Sequence, residues 1–88
     1  MGRRIIEVPT ISVDTPHYEQ ATRWLADNGI DPLEVPMDSE IAVDEATITY
    51  VRFPRDENGA YVIAEGKERL VRETATVAKH SSPETYGL

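Results

Sequence analysis

The sequence predicts a small α+β domain: an antiparallel sheet with one amphipathic helix packed on one face, in the order β-α-β-β-β. Three observations predict it. Residues 15–29 alone combine helix caps with a one-sided apolar stripe. Residues 47–77 run β-branched and aromatic stretches between turn signals, the pattern of a three-stranded meander. Finally, 88 residues without cysteine leave one modest core and no disulfides. Residues 1–80 read as a single domain and residues 81–88 as a flexible C-terminal tail.

Taken in order, residues 4–13 form an opening strand. Ile6 and Val8 share one parity and Ile11 and Val13 the other, so a bulge or bend is expected at Pro9-Thr10. Proline donates nothing to a ladder, which puts this strand at a sheet edge. Thr15 is the expected helix N-cap, Pro16 the first helical residue and Gly29 the C-terminal stop. Tyr18, Ala21, Trp24 and Leu25 make the apolar stripe, with Glu19, Gln20, Arg23 and Asp27 opposite. Pro32 and Pro36 exclude a helix from residues 30–39, where Leu33, Val35 and Met37 alternate with Glu34 and Pro36. A brief strand follows at residues 41–43. The meander then comprises strands at 47–53, 61–64 and 68–77, with turns at Asn58-Gly59 and around Gly66.

The formal net charge is −7, and six of those charges come from residues 31–45. Asp31, Glu34, Asp38, Glu40, Asp44 and Glu45 stand there without a lysine or arginine, while residues 46–88 balance. Such a field repels nucleic-acid backbone and attracts a basic partner. No run of about 18 apolar residues exists to span a membrane, so a cytoplasmic protein is expected.

Chemistry is sparse. His17 opens the helix near Trp24, but no serine–histidine–acid pattern accompanies it, and His80 falls in the tail. The carboxylates at 38–45 lack the spacing of a calcium loop, and each glycine is explained by a cap, turn or tail. Tyr50, Phe53 and Tyr61 beside Arg52 and Arg55 resemble a base-stacking sheet less than ordinary cross-strand pairs in an acidic protein. The expectation is no catalytic residue, no cofactor and no metal; the protein is read as a non-enzyme.

Residues 17–32, ending in Trp24-Leu25 and Gly29-Ile30-Asp31-Pro32, with Val35-Pro36 after them and an Asp-Glu-Asn-Gly hairpin, resemble short uncharacterised proteins of high-GC actinobacteria and their phages. The resemblance implies a small accessory protein, phage or prophage encoded.

The expected function is therefore a small acidic protein-interaction module that binds a host or viral protein through residues 31–45 or through a sheet edge. Its expected partner-binding residues are Asp31, Leu33, Glu34, Val35, Met37, Asp38 and Glu40. Exposed edges also allow a homodimer. The alternatives are an acidic nucleic-acid mimic and a homo-oligomeric virion structural component. On this reading, Lys at Glu34, Asp38 and Glu40 leaves folding intact and abolishes capture.

Overall fold

The computed structural model describes residues 3–11, 13–63 and 69–88. Four antiparallel strands form one sheet in sequence order: β1 (Arg4–Glu7), β2 (Glu40–Val43), β3 (Thr47–Arg52) and β4 (Glu73–Ala78). Helix α1 (Tyr18–Asp27) links β1 to β2 and covers one face. Alternation along the strands puts Ile6, Ile41, Val43, Ile48 and Tyr50 under the helix, in registers such as Ile6↔Ile41 and Ile41↔Tyr50. Burial pushes the Tyr50 phenol above its ordinary range.

β1 lies at the sheet edge. The change of apolar phase after it is taken up by a 3-10 turn, Val8–Thr10, with Pro9 near its start. That turn buries both Val8 and Ile11 and leaves Val13 outside.

Helix α1 starts later than its sequence suggests. Asp14 adopts a left-handed φ of 72°, and Tyr18 N–H reaches only to Thr15 C=O at 3.3 Å, closing a turn instead of a first helical repeat. His17 becomes the N-cap and contributes no side-chain cap. The other end is a complete Schellman motif: Gly29 N–H bonds Ala26 C=O at 3.0 Å and Ile30 N–H bonds Leu25 C=O at 2.9 Å. Gly29 takes φ 79°, and Ile30 tucks into the core behind Leu25.

The meander is simpler at its centre and more elaborate beyond it. β3 pairs directly with β4, Ile48 opposite Val77 and Arg52 opposite Glu73. Among the described residues, 53–63 and 69–72 leave the sheet as an excursion, and residues 61–63 of the expected 61–64 strand are not a sheet strand. Tyr61 and Ile63 make single bridges to Arg55 and Leu70. The turn at its tip is held by Asp56, whose Oδ1 accepts from Asn58 N–H at 2.8 Å and Ala60 N–H at 3.1 Å. The expected second turn, at residues 65–67, and the start of the third strand at residue 68 lie outside the described residues.

Residues 81–88 do not run free. Pro83–Tyr86 form a 3-10 turn docked on α1, with Pro83 buried. Composition suggested fraying because the segment has few apolar side chains, but its hold is polar, through Asn28, Asp27 and Trp24. Arg4 adds a hydrogen bond to Leu88 C=O at 3.0 Å and an ion pair with Glu84 at 3.2 Å. A hydrogen bond from its own backbone N–H, and secondarily Arg4, hold the Glu84 carboxyl below the usual range.

Candidate partner-binding groove

The acidic stretch divides in two once folded. Asp31 caps a 3-10 turn, Pro32–Glu34, by accepting from Leu33 N–H at 2.9 Å. Glu34, its side chain only 16% exposed, lies between two guanidinium groups, Arg55 Nε at 3.1 Å and Arg52 Nη2 at 3.5 Å. Arg55 also approaches Asp31 at 3.7 Å. Arg72 bonds Asp38 at 2.9 Å, and that hydrogen bond holds the Asp38 carboxyl below its ordinary value. Arginines of β3 and the excursion thus clamp the first three acids of the stretch.

Backbone contacts complete the clamp. Phe53 N–H donates to Glu34 C=O at 2.7 Å, and Tyr61 O–H donates to Leu33 C=O at 3.0 Å. Arg55 stacks over the Tyr61 ring at 4.8 Å, and Phe53 meets that ring edge-on at 5.9 Å. The aromatic–arginine set therefore holds the excursion against residues 31–38. Among the described residues, Arg52 Nε is buried with no hydrogen-bond acceptor.

The seven expected binding residues separate accordingly. Val35 is core. Asp31, Glu34 and Asp38 are in ion pairs. Glu40 belongs to β2 and shares the helix-free face with Ala42, opposite Glu7 of β1. Leu33 and Met37 point outward, 73% and 59% exposed.

Those last two have unexpected company. Val13, 52% exposed, and Tyr18, 39% exposed, stand across a groove from them. The groove encloses about 320 Å³. Ala21, Thr22 and Leu25 of α1 form one wall, Val8, Ile11 and Val13 another, and Pro32, Leu33, Val35 and Met37 a third, with Ile41 and Phe53 beneath. Four large apolar side chains, Val13, Tyr18, Leu33 and Met37, are thus exposed around one concavity. The sequence carried a signal for Tyr18, whose place in the stripe lies a full turn before the buried Ala21 and Trp24. Val13 carried another, in the phase change after Pro9.

No acidic side chain is among the groove's described lining residues, and the nearby Asp31 and Asp38 are paired with Arg55 and Arg72. Among the described residues, no group of three or more His, Asp or Glu side chains is arranged to hold a metal ion, and no helix is long and apolar enough to cross a membrane. His17 sits at the helix start, and His80 N–H donates to Asn28 Oδ1 at 2.7 Å.

Comparison with protein-family models, with curated proteins and with solved structures finds no match to the chain.

Proposed function

We propose that this protein is a non-enzymatic protein-interaction module that receives an apolar segment with basic flanks in the groove beside α1. The observation that carries the reading is the exposure of Val13, Tyr18, Leu33 and Met37 around one concavity. Such positions suit the anchor side chains of a partner peptide, buried at the centre of an interface with polar groups at its rim. The chain's net charge of −7 favours a partner segment that carries Lys and Arg beside its anchors and steers it inward. The resemblance to short actinobacterial and phage proteins supports an accessory role for the pair.

A display selection of random peptides on the immobilised full chain tests this reading. The expected winners combine large apolar residues with Lys or Arg, and lose binding to Leu33→Asp and Met37→Asp variants while keeping it for Glu40→Lys on the opposite face. Winners that are acidic, or that ignore Leu33 and Met37 but depend on Glu40, would overturn the groove as the site.

A further inference from the structure

The two edges of the sheet are built differently. β1 is four residues long, follows Arg3 and gives way after Glu7 to the turn that holds Pro9. Short length, charge and proline are the usual protections of an edge strand. β4 is six residues long, and its stretch Thr74-Ala75-Thr76-Val77-Ala78 carries no charge, no proline and no glycine. Among the described residues no strand lies beyond it.

The phase of the ladder fixes which backbone groups that edge presents. Lys79 N–H bonds Ala46 C=O at 2.9 Å, extending the β3–β4 register by one pair. Antiparallel pairs alternate between hydrogen-bonded and non-bonded, so Val77, Ala75 and Glu73 turn their amides toward β3. Thr74, Thr76 and Ala78 turn theirs outward. The close approach of Thr49 and Thr76, whose hydroxyls lie 3.1 Å apart, fits a non-bonded pair.

We propose that β4 pairs antiparallel with β4 of a second copy about a two-fold axis at Thr76, forming one eight-stranded sheet with both helices on the same face. Outward groups at 74, 76 and 78 allow that register, Thr76 facing Thr76 and Thr74 facing Ala78. It sets Glu73 of each copy opposite Lys79 of the other, two complementary charge pairs generated by one symmetry operation. Sliding the strands by one repeat in either direction faces Glu73 with Val77 or Ser81 and loses both pairs. In the favoured register, Ala75 and Val77, half-buried at the margin of the core, meet Val77 and Ala75 of the second copy. Arg72 falls opposite His80. None of these residues lines the groove, so the pairing and the groove reading stand or fall separately.

Sedimentation equilibrium of the full chain from about 1 to 500 µM tests the pairing, because association follows mass action. The expected mass rises from 9.9 kDa to twice that value. Glu73→Lys and Lys79→Glu should each weaken the dimer roughly tenfold, since symmetry turns both attractive pairs into repulsive ones. The double exchange should restore it. Thr76→Pro removes an N–H that β3 does not use, so it should abolish the dimer while leaving a folded monomer, checked by circular dichroism. A constant monomer mass overturns the proposal. So does a dimer that tolerates Thr76→Pro in a folded chain, or one that the double exchange fails to restore.

Discussion

Helix α1 has one closed end and one open end. At its C-terminus, Trp24 is completely buried, and its indole N–H donates to Ser81 C=O at 3.0 Å. Asn28 uses its whole capacity there. Its Oδ1 accepts from His80 N–H at 2.7 Å and Ser81 N–H at 3.1 Å, and its Nδ2 donates to Trp24 C=O at 2.7 Å and Ser81 Oγ at 3.1 Å. Tyr86 O–H reaches Asp27 from the same segment. At the N-terminus His17 makes no side-chain cap, and Tyr18 and Val13 stand half in water. The difference separates two jobs within one element. Trp24, Asn28 and Asp27 at the closed end all bond to residues 80–86, so that end holds the fold together. The open end keeps apolar surface that the fold does not cover, and there a partner has something to gain.

Breaking the closed end should have the largest effect. Trp24→Ala should cost about 3–5 kcal/mol, a large share of the stability of so small a domain, read from the denaturant midpoint. Asn28→Leu should cost less, roughly 2–3 kcal/mol, because water can resolvate part of what it strands once residues 80–88 lift away. Its signature is fast hydrogen exchange at His80 and Ser81 with the sheet amides still protected.

The clamp beneath the groove comes next. Glu34→Gln should cost about 1–2 kcal/mol, discounted from a fully buried pair because Arg52 and Arg55 keep about a third of their side-chain surface in water. Glu34→Lys should be worse, since it adds a third cation to the pair. Charge reversal across the stretch should therefore disturb folding, where the acid run read alone leads one to expect none. Asp38 gives a pH test. Its carboxyl is depressed in the folded state, so the Arg72 contact contributes fully above the unfolded value of about 4 and is lost as pH falls through the lower folded value. A carboxyl chemical-shift titration should place Asp38 below that ordinary value in wild type and return it there in Arg72→Gln.

The open end should respond least in stability. Tyr18→Ser with Leu33→Ser should move the midpoint by no more than about 0.5 kcal/mol for each exposed site, while weakening binding of a selected peptide strongly.

How far the sequence reveals this asymmetry depends on what each end is made of. Periodicity finds Ala21, Trp24 and Leu25 because burial under a helix repeats along the chain. The Gly29 stop is local chemistry and is legible for the same reason. Asn28 reads as part of that stop, yet its real partners lie more than fifty residues away at His80 and Ser81. No local pattern encodes such a bond, so residues 81–88 look like a tail. The acids of residues 31–38 mislead likewise. Their run without lysine or arginine suggests an open negative surface, whereas Arg52, Arg55 and Arg72 arrive from β3 and the excursion to pair with Glu34, Asp31 and Asp38. Leu33 and Met37 were readable as apolar contacts. That Val13 and Tyr18 face them across a groove follows from the turn at Asp14, which alternation does not announce.

The central claim is that the open end of α1 is where a partner docks. The most direct measurement is a two-dimensional 15N–1H spectrum of the full chain titrated with the tightest selected peptide. The account predicts that the amides of Val13, Tyr18, Leu33 and Met37 move together and saturate together. It also predicts that the Trp24 indole and the amides of His80 and Ser81 stay in place. Shifts concentrated at residues 80–88 or along β4, with Tyr18 and Leu33 unmoved, would contradict it.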